Sequence, residues 1–541
     1  MIARAMLILA TGLVVLPFSD HANPLLISDL SAQIQSRRPP PGLLERLQEA
    51  PRSSQALGGW KARTTQAMES DEALTGTMPV AIILALFSDS PEPHVSEAQL
   101  QQALFDGPSP YGTVSEFYHE TSGGRFSLTG EVFPWVRTSL TQAEVVGSEY
   151  GLGDDARTGE YLFEAVAAAD SMVDFGQFDN DGPDGIPNSG DDDGIVDAVA
   201  FQFIEVGASC GGPSIWPHRW VLEGWSEDQT PYRTDDLRPD GSFIVVSDYT
   251  TQGATDCGGV EIQNASTIAH ELGHVLGLPD FYDNSQGREP EHRRWVLGCW
   301  SLMAAGSWGC GTENRTGWVR PTHLGAWEKD ALGWLDEVEV AGSLLDATFT
   351  LEPVLTGQRI LKIPMDSGTA QNTNEYLLVE YRTKEGFDAD LPASGVLIYH
   401  VDNQIPGNRP CDSCPQRYRV ALVEADGNNS LQLNFQQGGN RGEPGDAWGA
   451  FGEGTLSHNT VPSSSLNSGE RSGITFHRIA LENGLAHITL SSRFLSTQSL
   501  LKQFLGTTGT SLTSGEKEHL DSHGNGNGQY DVGDLRAYLR R

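Results

Sequence analysis

His270-Glu271-Leu272-Gly273-His274 places two imidazoles four residues apart, with a carboxylate beside the first. On a helix, positions i and i+4 share a face, so His270 and His274 can hold one metal ion between them. Glu271 then reaches a water on that ion. The stretch continues Val275-Leu276-Gly277-Leu278-Pro279-Asp280. Gly277 lets the chain leave the helix and Pro279 prevents it resuming, so the turn can return Asp280 as a third ligand. Three protein ligands with an open fourth position are the pattern of a catalytic zinc. Zinc held this way lowers the pKa of a bound water and polarises a peptide carbonyl, and Glu271 is placed to act as general base and then as acid to the leaving amine. Asp283, or Glu289 or Glu291 from a second helix, are the other candidates for the third ligand. The helix break favours Asp280. The sequence names no donor for the oxyanion.

A rival chemistry sits at Gly207-Ala208-Ser209-Cys210-Gly211, which matches G-x-S-x-G. A nucleophile elbow needs a helix directly after the serine. Gly211-Gly212-Pro213 forbids one, so Ser209 reads as part of a glycine-rich loop. His218, in the aromatic stretch Ile215-Trp216-Pro217-His218-Arg219-Trp220, reads as a structural histidine more than a site residue.

Two further stretches offer hard oxygens. Phe178 to Asp197 is dense in Asp and Gly, and Asp179, Asp181, Asp193 and Asp197 are candidate calcium ligands; unneutralised, so many carboxylates would repel one another. The alternative is a solvated acidic loop. Near the C-terminus, His523 to Asp534 fits a calcium loop of the EF-hand kind. Asn525, Asn527, Asp531 and Asp534 are ligand candidates, Gly528 takes the sharp turn, and His523 stands at the first position unless Asp521 substitutes.

The elements that must position these groups can be read in outline. Met1 to about Ala22 has a basic start and an apolar run, the pattern of a signal peptide. Residues 23–78 are polar and helix-prone, and read as a propeptide. Pro79 to Phe87 is a buried strand, Ser96 to Phe105 a helix with a Ser96/Gln99 capping box, and Thr158 to Met172 an amphipathic helix. Phe243 to Tyr249 reads as one strand, Ser266 leads into the metal helix, and Pro321 to Leu335 reads as a closing helix. Met303 lies in a short turn downstream, the place of a Met-turn. From about Asp336 to Ser492, alternating strands such as Arg359 to Ile363, Tyr376 to Tyr381 and Gly395 to Val401 predict a β-sandwich or barrel.

The chain has 541 residues and a net charge of −37, which argues against nucleic acid and anionic membrane surfaces as partners. Its six cysteines, in an exported chain, suggest disulfides; proximity favours Cys210–Cys257, Cys299–Cys310 and Cys411–Cys414.

The stretch from His270 to Asp283 closely resembles the signature of the immune inhibitor A family of secreted bacterial metalloproteases. So do Ile82 to Asp89, Ser115 to Gly130, Gly194 to Asp197, Trp300 to Met303, Leu397 to Asp402 and Leu422 to Gly427. The resemblance covers roughly Pro79 to Ser492. It implies a metzincin-like fold with Asp where metzincins usually carry a third His, zinc endopeptidase activity, calcium sites and proteolytic maturation. The C-terminal stretch is similar to half a dockerin.

Together these readings give an α+β chain: signal peptide 1–22, propeptide 23–78, zincin-like catalytic domain 79–335, β-rich domain 336–492 and a helical EF-hand-like calcium module 493–541. The expected function is a secreted, monomeric zinc endopeptidase that is stabilised by calcium and acts on proteins, without nucleic acid or, after signal cleavage, membrane. The alternative is an exported calcium-dependent adhesion protein with an inactive zincin unit.

Overall fold

The computed structural model describes residues 59–70, 72–225, 228–285, 291–310, 320–340, 344–365, 374–408, 418–492, 495, 500 and 512–538; of 337–340 only the backbone is described. The expected signal peptide, the propeptide up to residue 58, Glu289 and the Cys411–Cys414 pair lie outside them. Among the described residues no helix is long and apolar enough to cross a membrane.

The N-terminal half is built on one long strand. After helix α1 (Gly59–Ser70), β1 (Gly76–Leu86) is buried from Met78 onward. Side chains alternate across a strand, so an unbroken apolar run needs cover on both faces. Met78, Val80, Ile82 and Leu84 enter one core, while Ala81, Ile83 and Ala85 enter another. Helix α2 (Val114–Thr121) follows, with a Thr113/Glu116 capping box, and then β2 (Phe126–Val132) and the short β3 (Val136–Arg137). Helix α3 (Thr158–Ala169) covers the second core through Leu162 and Val166. β4 (Val199–Phe203) and β5 (His218–Val221) precede the hairpin of β6 (Tyr232–Leu237) and β7 (Phe243–Val246), and β8 (Asp248–Gly253) ends the set. The sheet order is β2-β1-β4-β8-β5, parallel except for β5, which runs antiparallel to β8 at the edge. Helix α4 (Ala265–Val275), which carries the two histidines, packs Ile268 and Leu272 into the first core.

Two expected elements differ. Phe243 to Tyr249 is not one strand: it divides at buried Ser247, with β7 in the hairpin and β8 in the main sheet. The closing helix is only α5 (Ala326–Ala331). The residues before it are extended because their backbone is used elsewhere: Leu302 N–H donates to the His323 carbonyl and Thr322 N–H to Gly306.

Beyond α5 the chain forms a sandwich. β9 (Glu337–Val340), β10 (Ala347–Leu351), β11 (Arg359–Pro364), β12 (Glu375–Arg382), β13 (Gly395–Asp402), β14 (Val420–Leu422), β15 (Gly454–Leu456), β16 (Thr475–Glu482) and β17 (Leu485–Ser491) make two sheets. These are ordered β14-β13-β12-β11-β9 and β10-β17-β16-β15. Leu361, Val379 and Ile398 face Phe476, Ile479 and Ile488 between them. On the other face of the first sheet, Leu378, Leu397 and Tyr399 share one core with Trp300, Leu302 and Met303. The β-rich half is therefore fused to the N-terminal half through a continuous apolar core. Helices α6 (Ser514–Ser522) and α7 (Val532–Tyr538) follow.

Candidate active site

Helix α4 starts where the Asn264 side chain accepts the Ser266 N–H, the usual work of an N-cap. It ends at Gly277, whose φ of 87° is open to glycine and costly for other residues. There Gly277 N–H donates to the His274 carbonyl and Leu278 N–H to Gly273, closing the helix with paired carbonyls. This exit returns Asp280 to the histidines, as the helix break suggested.

His270 Nδ1 lies 2.9 Å from the Leu302 carbonyl oxygen, and His274 Nδ1 lies 2.7 Å from that of Leu278. A carbonyl can only accept, so in both neutral rings Nδ1 carries the proton and Nε2 keeps its lone pair. Both Nε2 atoms face the same oxygen, Asp280 Oδ1, at 3.2 and 3.3 Å. That oxygen is buried without a hydrogen-bond partner, although the carboxylate is 38% exposed at its outer edge. Three electron-pair donors this close repel one another unless a cation stands between them. Zinc bonds of about 2.0–2.2 Å would set tetrahedral ligand atoms about 3.3–3.5 Å apart, so the donor set fits the ion.

Glu271 is buried beside this set. Burial pushes its carboxyl up to about 7; His270 opposes the shift, Asp280 adds to it and Arg293 opposes it. The buried Arg293 guanidinium lies over the rings of Tyr282, Trp216, Trp295 and Trp308 at 4.8 to 5.9 Å. Sequence reading passed over Arg293, since nothing local marks an arginine that an aromatic cage will bury.

The floor is the Trp300–Gly306 turn. A Cβ on Gly273 would lie 2.6 Å from Met303 Sδ, so the glycine is what lets the methionine seat under the histidine helix. Tyr118 Oη on α2 braces the helix by donating to the Ala269 carbonyl at 2.7 Å. The floor is itself held from the β-sandwich. Arg382, wholly buried, donates through Nη1 to the Trp300 carbonyl at 3.1 Å and pairs through Nε and Nη2 with Asp388 at 2.5 and 2.6 Å. Trp300 Nε1 donates to Asp446 Oδ2 at 2.8 Å. These partners are 82 and 146 residues away in sequence, which is why no local pattern announced them.

Other expected residues fall as follows. Asp283 is buried and turned away, pairing with Arg294 at 3.2 Å, and Glu291 is exposed. His218 is a satisfied core histidine, with Nδ1 2.7 Å from the Trp216 carbonyl and Nε2 2.9 Å from Tyr249 Oη; burial lowers its pKa to about 4. Ser209 sits in a single 3-10 turn closed by Gly211, not before a helix. Cys210–Cys257 and Cys299–Cys310 are disulfides as expected.

Asp179, Asp181 and Asp193 converge, and Asp179 Oδ1 is buried without a hydrogen-bond partner. Burial first, then the neighbouring carboxylates Asp193, Asp192 and Asp181, push the Asp179 carboxyl up to about 7. Asp197 stands just outside this trio, its Oδ1 accepting the Asn180 N–H at 3.3 Å. In the C-terminal loop, Asn525 and Asn527 donate to Asp531, and Asp534 accepts from the Asn525 and Asp531 N–H groups. Asp521 accepts from the Asn527 and Gly528 N–H groups, and His523 points out of the loop to Asp346.

Residues 96–335 match the family model described as immune inhibitor A peptidase M6, catalytic domain. The chain is 28% identical over 278 residues to the pre-pro-metalloprotease PrtV of Vibrio cholerae serotype O1, covering 47% of this chain and 28% of that protein. It is 32% identical over 232 residues to immune inhibitor A of Bacillus thuringiensis subsp. alesti, covering 38% of this chain and 30% of that protein. The chain thus spans less than a third of the length of these curated relatives. The family match takes in the mixed α/β half that carries the histidine helix and stops before the β sheets that follow.

Proposed function

We propose that this chain, with a peptidase M6 catalytic domain of the immune inhibitor A type at residues 96–335, is a secreted zinc endopeptidase that cleaves proteins. The observation that carries the reading is the meeting of the His270 and His274 Nε2 lone pairs with the buried Asp280 Oδ1. His270, His274 and Asp280 would hold zinc, which when bound supplies Lewis acidity and a water of lowered pKa. The Leu302 and Leu278 carbonyls fix each imidazole in the tautomer that can serve as ligand. Glu271 takes the proton of the attacking water and passes it to the leaving amine. The edge strand β5, beyond which no strand pairs among the described residues, offers backbone groups to an extended peptide. Asp179, Asp181 and Asp193, with Asp197 beside them, would take calcium, as would the loop from Asp521 to Asp534. Two disulfides suit an oxidising, extracytoplasmic setting.

The test compares wild type with Glu271→Ala on casein. The variant should keep its zinc and lose about 10²–10⁴-fold in kcat, the usual contribution of a general base. A zinc chelator should abolish wild-type cleavage. Retained turnover in the variant would remove Glu271 from this role, and chelator-resistant cleavage would remove the metal.

A further inference from the structure

A second cluster of metal-binding side chains lies far from α4 in sequence. His519, on α6, and His523, the residue that caps its C-terminal end, are four apart, the same spacing as His270 and His274 on α4. Both rings turn toward the β-sandwich. His519 Nδ1 is 2.9 Å from Asp346 Oδ2, and His523 Nε2 is 2.6 Å from Asp346 Oδ1. A third imidazole arrives from β16: His477 Nε2 is 3.3 Å from the same Asp346 Oδ1 and 2.9 Å from Ser491 Oγ. The His477 and His523 rings stack at 3.9 Å between centroids, 13° from parallel. One ligand atom from each of the four residues lies within 4.8 Å of the others. Asp346 holds its carboxylate there from a left-handed backbone, φ 49°, which a non-glycine residue rarely adopts without a local cause.

Three imidazoles on one carboxylate are poorly matched as ion pairs. One negative charge cannot balance three imidazoliums, and two stacked charged rings repel. A divalent ion resolves this, because neutral imidazoles and a carboxylate are its ligands. Three nitrogens and one oxygen suit zinc and its transition-metal neighbours, and not calcium, which takes oxygens. Four protein ligands leave no open position, which is the character of a structural site.

We propose that Asp346, His477, His519 and His523 form a second, structural zinc site that clamps the C-terminal helical module onto the β-sandwich. The ion replaces the protons now shared with Asp346 and moves the 2.6 and 2.9 Å contacts apart toward tetrahedral spacing. The site is independent of the catalytic reading, since it shares no residue with α4.

The test uses the full chain in saturating calcium, so that acidic loops do not take up zinc. After zinc loading and desalting, His270→Ala/His274→Ala should retain one zinc per chain, and adding His519→Ala/His523→Ala should remove it. In the His270→Ala/His274→Ala background, cobalt should bind at one equivalent with the visible bands of tetrahedral cobalt. This readout leaves the proposed site's own four residues unchanged, and a melting transition of the His270→Ala/His274→Ala protein shows that it is folded. Chelation should also speed release of the C-terminal module by trypsin. If His270→Ala/His274→Ala binds neither zinc nor tetrahedral cobalt, the cluster is a metal-free ion-pair network and the proposal fails. A wild type with one zinc, lost only with His519→Ala/His523→Ala, would sustain this site and sink the catalytic one.

Discussion

Gly273→Ala tests whether the floor beneath the histidine helix matters to the chemistry. The added methyl would lie 2.6 Å from Met303 Sδ and 3.2 Å from its Cε. Met303 is fully buried, so it cannot swing into solvent. Two effects compete in stability. Glycine to alanine inside a helix gains about 1 kcal/mol, while overpacking a core costs about 1–3 kcal/mol. The net loss should be no more than about 2 kcal/mol, and the protein should fold. Activity should suffer more. Met303 adjoins Leu302, whose carbonyl fixes the His270 tautomer at 2.9 Å, and disturbing such an orienting partner typically costs about 10–100-fold in metal affinity or activity. The assay is kcat/KM on casein beside the melting temperature and zinc affinity. Combining Gly273→Ala with Met303→Ala should cost less than the sum of the two, because one removes the atoms the other strikes. Unchanged kcat/KM in Gly273→Ala, or strict additivity in the double variant, would refute the reasoning.

Three further outcomes are expected. Arg382→Met should destabilise by about 3–5 kcal/mol, measured by denaturant unfolding, because it leaves Asp388 and Glu380 buried without their cation. Acid unfolding should report the same pair. Burial opposes Asp388 ionisation, but Arg382 outweighs it and lowers the carboxyl to about 2. A depressed carboxylate contributes stability above its unfolded pKa of about 4, so this contribution should fade as pH falls from about 4 through 2. An acid limb identical in Arg382→Met would argue against this. Removing calcium should lower the melting temperature, and Asp179→Asn/Asp181→Asn should shrink that calcium dependence; a melting temperature indifferent to calcium would leave the acidic loop a solvated one.

The candidate site was legible in the sequence because its parts are local. Two histidines one helical turn apart, a glycine that ends the helix and an aspartate three residues on lie within eleven residues, and backbone geometry alone brings them together. The alternating strands from Arg359 onward were legible for the same reason, since a period of two is written along each strand. The closing helix is shorter than the Trp- and Leu-rich stretch predicts, because its first residues give their backbone groups to the floor turn.

Tertiary structure decided what lies between distant segments. It set Asp280 against the two histidines and sent Asp283 to Arg294. It fused the two halves through Arg382 and a shared core, although the sequence changes character near residue 336 as if at a boundary. It also took His523 out of the C-terminal loop and set it, with His519, against Asp346 and His477. The histidine pair at the end of α6 was visible in sequence as a spacing. Its partners were not, because Asp346 and His477 reach it only when strands far apart in the chain pack into one sandwich and the last helices dock on its edge.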